Sequence, residues 1–210
     1  MRCCRKRLDA LLLGVLLLLA AQLASAAAEI SVRAPELVTG SDDVTVSADF
    51  NINFNSRLED VVDHGVVLYF VVDFELLRSR WYWFDEQIVR RSRTYRFSYH
   101  ALTRQYRLST GVLHQNFASL DEALQVLGRL RNWQVLDRNE IKAGETYLAG
   151  LRLRLDLSQM PKTFQVSALA NRDWSLASDW VYWEYTPLAP LENPLQAPAA
   201  APATPAGDGQ

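Results

Sequence analysis

Cysteine is nearly missing from this chain. The only two, Cys3 and Cys4, stand ahead of an uninterrupted apolar stretch from Leu11 to Ala21. Arg2, Arg5, Lys6 and Arg7 form a cationic start, and Ala24-Ser25-Ala26 gives a small-residue cleavage site after the apolar stretch. These are the three parts of a secretory signal peptide. Residues 1–26 are therefore expected to be removed on export, with Ala26-Ala27-Ala28 as a second legal site. Both cysteines then leave as well, so the mature chain has no disulfide, no thiolate nucleophile and no cysteine metal site. No cysteine follows the apolar stretch, which argues against a lipoprotein. Arg5-Lys6-Arg7 lacks the paired arginine of the twin-arginine route. The competing account is an uncleaved anchor from Ala10 to Ala28, weakened by Gln22 and Ser25. Membrane contact is expected through that uncleaved segment alone, and the expected location is the periplasm.

Recognisable catalytic patterns are missing too. His64, His100 and His114 have no ligand spacing, so no metal is expected. There is no G-x-S-x-G elbow and no glycine loop to cradle phosphate, and no cofactor is expected. The acid pairs Asp42-Asp43, Asp85-Glu86 and Asp121-Glu122 are adjacent residues. On a strand such neighbours point to opposite faces and cannot flank one bond. The reading is non-enzymatic. Strong net charge is absent as well: without residues 1–26 the chain carries 18 basic and 23 acidic residues, a net of −5. That argues against a nucleic-acid partner.

What is present is one domain. Residues 27–185 hold all the aromatic and periodic sequence, enough for a single core. After Tyr185 come Pro187, Pro190, Pro194, Pro198, Pro202 and Pro205 among alanines. Residues 186–210 are expected to be a disordered tail, a spacer rather than a ligand for a proline-recognising partner. Within the domain Val44 to Asn53 alternates apolar and polar, and Val66 to Leu77 reads as a strand buried on both faces. Ile88 to Tyr99 and Gln105 to Thr110 read as a hairpin around His100-Ala101-Leu102-Thr103. Thr146 to Leu157, Phe164 to Leu169 and Trp180 to Tyr185 complete the expected strands. Ser119-Leu120-Asp121-Glu122 fits a capping box ahead of an apolar stripe reaching Leu130. A second helix is expected from Ser56 to Asp63, stopped by Gly65. The expected fold is mainly β, with antiparallel sheets arranged as a β-sandwich and one or two short helices.

Several ordered blocks are familiar. They are Trp81-Tyr82-Trp83-Phe84-Asp85-Glu86, Tyr99 to Leu108, Ser119 to Leu124 leading to Trp133, and Gly144-Glu145-Thr146-Tyr147. Leu155-Asp156-Leu157, Met160-Pro161-Lys162, Asp173-Trp174 and Ser178-Asp179-Trp180 follow. Together they resemble the proteobacterial exported proteins grouped as domain-of-unknown-function family 4390, described as proline-rich exported proteins. The resemblance covers nearly all of 29–185. It implies a Gram-negative envelope setting and, by association with a membrane sensor kinase of the nitrogen-regulation type, a periplasmic partner. It carries no assigned activity and no catalytic residues to transfer.

Charge distribution is the most unusual feature. Between Arg78 and Arg107 stand eight arginines against only Asp85 and Glu86, a net of +6. Arg90 and Arg96 share strand parity with Ser92, Thr94, Ser98 and His100, backed by Tyr95, Phe97 and Tyr99. Guanidinium groups offer the paired, planar donors that phosphate and carboxylate accept. The candidate binding surface is Arg90, Arg93, Arg96, Arg104 and Arg107 with Trp81 and Trp83, facing a periplasmic protein or an anionic envelope component. The competing account pairs these arginines with acids on neighbouring strands. Trp180 and Tyr182 are read as core rather than as a sugar platform. The rival functional classes are a glycan-active hydrolase with a composite carboxylate site and a membrane-anchored structural protein.

Overall fold

The computed structural model describes residues 29–78, 85–170, 174 and 176–188. Two antiparallel sheets pack together. The smaller has the order β1-β2-β7, from β1 (Glu29–Thr39), β2 (Asp43–Asn53) and β7 (Arg129–Asp137). The larger has the order β6-β5-β4-β3-β8-β9. Its strands are β3 (Leu68–Arg78), β4 (Glu86–His100), β5 (Gln105–Thr110), β6 (Leu113–Phe117), β8 (Tyr147–Leu155) and β9 (Val181–Tyr185). Among the described residues three short α-helices join them: α1 (Ser56–Asp63), α2 (Leu120–Leu127) and α3 (Lys162–Ala170). Among the described residues no helix is long and apolar enough to cross a membrane.

Alternation in the sequence decides which faces meet. Val44, Val46, Ala48, Phe50 and Ile52 of β2 are all buried. They face Leu68, Phe70, Val72, Phe74 and Leu76 of β3 and Leu151, Leu153 and Leu155 of β8. Trp133 and Phe74 join the two sheets edge to face, with ring centroids 6.5 Å apart. Each fully buried leucine or phenylalanine here contributes about 1.5–3 kcal/mol over leaving it in water. Pro35 lies within the β1 irregularity between Arg33 and Glu36, beside Ala34 at φ 45°. A proline that cannot donate to a ladder is tolerated there, on an edge strand.

Local chemistry fixes the helix ends. The Asn55 side chain accepts from the Leu58 amide at 2.9 Å to start α1. Ser119 accepts from the Glu122 amide at 3.2 Å, and Glu122 accepts from the Ala118 amide at 3.4 Å. The capping box thus operates, one residue further back than the standard reciprocal bond. The apolar stripe reaching Leu130 is not all helix. Gly128 ends α2, its amide donating to the Leu124 carbonyl at 2.8 Å. A Cβ at Gly128 would lie 2.3 Å from the Phe50 carbonyl oxygen. The chain passes so close to β2 that it must continue as a strand, and Leu130 belongs to β7.

The strand expected over Phe164 to Leu169 is a correction: this segment is α3. Pro161 opens it, with the Phe164 amide donating to the Pro161 carbonyl at 2.9 Å. The Gln165 side chain donates to the carbonyls of Ser158 and Met160 at 2.8 and 2.7 Å. Phe164 packs edge to face on Trp174. Strands β1, β6 and β7 were not expected.

Candidate functional site

The larger sheet has one face in the core and one face outward. The outward face carries Asp73 and Glu75 of β3, Arg90, Ser92, Thr94 and Arg96 of β4, Arg107 and Ser109 of β5, and Arg152 and Arg154 of β8. Register aligns them: Asp73 stands between Ser92 and Arg152, and Glu75 between Arg90 and Gly150. Asp73 is only 4% exposed. It accepts from Ser92 Oγ at 2.8 Å, Arg152 Nε and Nη2 at 3.1 and 3.0 Å, and Arg154 Nε at 2.8 Å. Burial by itself would raise its pKa, but the bonds from Arg154, Ser92 and Arg152 outweigh it and hold the carboxyl below its ordinary value. Glu75 accepts from the Tyr182 hydroxyl at 2.7 Å. Burial and that bond push the Tyr182 phenol up to about 12.

Several arginines are therefore neutralised within the protein. Arg152 and Arg154 hold Asp73. Arg78 reaches Glu86 at 3.4 Å and Glu145 at 3.2 Å. Arg91 lies 3.9 Å from Glu140. For these residues the competing account of paired arginines describes the geometry.

Arg96 and Arg107 differ. Among the described residues neither has a carboxylate within ion-pair distance, and the strand register brings them together. Arg96 lies opposite Ser109, which lies opposite His114. In the next row Ser98 lies opposite Arg107, which lies opposite Asn116. Arg107 Nε donates to Asn116 Oδ1 at 3.0 Å, which turns the guanidinium toward the sheet edge. Thr94, Arg96, Arg107, Ser109 and His114 line an open depression of about 380 Å³ with the β5–β6 turn. Arg96 and Arg107 also border a second hollow of about 230 Å³, with Ser98, Tyr99 and His100. The patch offers two guanidiniums, an imidazole and hydroxyl groups, with no acid among its lining residues. Such a donor set accepts a phosphate or carboxylate.

The remaining expected site residues fall elsewhere. Arg90 shares the outward face but stands six residues along β4 from Arg96, about 20 Å at the usual strand rise. Arg104 sits in the β4–β5 turn at φ 52°, outside both hollows. Arg93 is a correction. Its parity is that of Tyr95 and Phe97, so it points inward, with its guanidinium 5.0 Å from the Trp133 ring centroid. It belongs to the packing between the sheets. Trp81 and Trp83 lie outside the described residues. Trp180 and Tyr182 are not core: they stack at 5.8 Å on the outward face, with Arg152 4.7 Å from the Trp180 ring. Their neighbour Trp183 packs against the core.

Sequence reasoning missed Asp73, Glu75, Arg152, Arg154 and His114 as one surface. The alternation of Arg152 and Arg154 with leucines carried part of that signal. Among the described residues no cluster of histidine, aspartate and glutamate is arranged to hold a metal ion. The sequence model of a family described as a domain of unknown function, DUF4390, matches residues 27–184. No curated protein and no solved structure matches the chain.

Proposed function

The chain belongs to the DUF4390 family, and we propose that it is an exported, non-enzymatic binding domain whose Arg96–Arg107 patch holds an anionic group of an envelope partner. One observation carries this reading. Arg78, Arg91, Arg152 and Arg154 engage acids of the same chain, whereas Arg96 and Arg107 share one face and an open depression without an acid. Two guanidiniums on neighbouring rows of one sheet face repel each other, and an anion between them relieves that repulsion. Export through a cleaved signal peptide and a periplasmic location belong to the same proposal, and mass spectrometry of the purified N-terminus tests them.

The hydrolase reading gains one point, that Asp73 and Glu75 share a face of β3. It loses more in their chemistry. Asp73 is held ionised by three residues, so it has no proton to donate, and Glu75 already accepts from Tyr182. The test of the binding reading is crosslinking and pull-down from the envelope fraction with the wild-type chain and R96Q/R107Q. The double variant should lose the partner while keeping the wild-type melting temperature. Undiminished capture by the variant overturns the site assignment.

A further inference from the structure

We infer that the β5–β6 hairpin docks on an anionic lipid surface, with Val112 and Leu113 entering the acyl-chain boundary and Arg96 and Arg107 holding lipid phosphates. This rests on the anion-binding reading of the same patch and names its ligand. The turn is tight: Gly111 has φ +58°, and Val112 follows at its apex. Val112 is 95% exposed and Leu113 74% exposed, at the edge of the six-stranded sheet. Both also line the basic depression. Two bare aliphatic side chains beside unpaired cations match what an anionic bilayer surface accepts.

Depth supports the match. Leu113 lies opposite Thr110, and the Arg96–Ser109–His114 row is one step behind. Arg107 lies two residues further back. By strand rise the guanidinium rows stand roughly 3 to 10 Å behind the tip, the depth of the headgroup layer when apolar side chains reach the acyl boundary. The acids of this face do not oppose the contact. Asp73 and Glu75 lie on β3, beyond β4, and have donors of their own. A protein partner fits less well. A stable interface buries about 800 Å² per side around an apolar core, whereas the large exposed apolar side chains lining the basic depression are the two at the tip. This proposed contact through β6 is separate from the one expected through an uncleaved N-terminus.

The test uses the purified protein with vesicles of phosphatidylcholine and vesicles of phosphatidylcholine mixed with phosphatidylglycerol. Neutral vesicles measure any contribution of an apolar N-terminus. Wild-type protein should bind the anionic vesicles more tightly, and added salt should weaken that preference. R96Q/R107Q should lose about fivefold per arginine, about 25-fold together. V112S/L113S should also lose binding, and both variants should melt as the wild type does. Equal binding to both vesicle types, or binding that either variant leaves unchanged, overturns the inference. A glutamate-rich peptide is the second arm. If the peptide binds through Arg96 and Arg107, ignores V112S/L113S, and vesicles fail, the lipid inference falls and the anion-binding reading stands. If neither probe binds, both fall.

Discussion

Asp73→Asn tests whether the outward face is a preorganised charge network. The carboxylate is almost fully buried and takes four donor atoms from Ser92, Arg152 and Arg154. Asparagine keeps one acceptor oxygen and places an amide donor against guanidinium donors. Bonds to a charged group are worth about 1.5–3 kcal/mol each. Arg152 and Arg154 are 29% and 33% exposed, so both can turn partly to water. That relief leaves a net loss of about 3 kcal/mol, the low end for breaking a buried ion pair. For a chain of this size it lowers the melting temperature by about 6–12 °C. The pH dependence has a fixed sign. The folded pKa of Asp73 is depressed, so its stabilisation is present above the unfolded value of about 3.9 and is lost as pH falls through the folded value. Urea unfolding of wild type and variant near neutral pH, and then stepwise into acid, measures both effects. The gap should be constant near neutrality and should close below about pH 4. A gap under about 0.5 kcal/mol near neutrality, or one that does not change in acid, refutes the network.

Four further outcomes follow from single substitutions. Gly150→Ala places a Cβ 2.6 Å from Tyr182 Cε1 and 3.2 Å from Glu75 Cγ. The ring must lift, so spectrophotometric titration should show the Tyr182 phenol falling from about 12 toward the ordinary 10. Arg93→Gln should lower stability by about 1 kcal/mol through loss of the Trp133 contact and leave anion binding unchanged. Arg96→Gln should do the reverse, and a melt plus a binding titration separates the two. Ser119→Ala should cost about 1 kcal/mol in chemical denaturation by uncapping α2.

Much of the framework was readable because periodicity tracks burial. The β2 alternation, the β4–β5 hairpin, the capping box of α2 and the Gly65 stop of α1 rest on local patterns, and the structure matches them. The failures have physical causes. Phe164 to Leu169 mixes apolar and small residues in a way that suits either state, and the helix is decided by Pro161 and the Gln165 bonds to the preceding turn. The end of α2 is marked by Gly128, but the apolar stripe running on to Leu130 masks that stop, and the close pass by the Phe50 carbonyl that turns the chain into β7 is a long-range contact. Asp73 was hidden for another reason. It sits inside the apolar run of β3, and its meaning depends on which strands lie beside it. Charge groups Arg93 with its neighbours, although parity alone assigns it to the opposite face. The clustering of Arg96 with Arg107 was half visible, in the hairpin, while His114 required the unforeseen β6.

The central claim is that Arg96 and Arg107 together hold an anion. The most direct measurement is an NMR titration of the wild-type protein with inorganic phosphate, following backbone amides and arginine Nε–H resonances. The account predicts saturable shifts at Arg96, Arg107 and the 109–114 segment, and their disappearance in R96Q/R107Q. No saturable shift there, or shifts centred on Arg152 and Arg154, would contradict it.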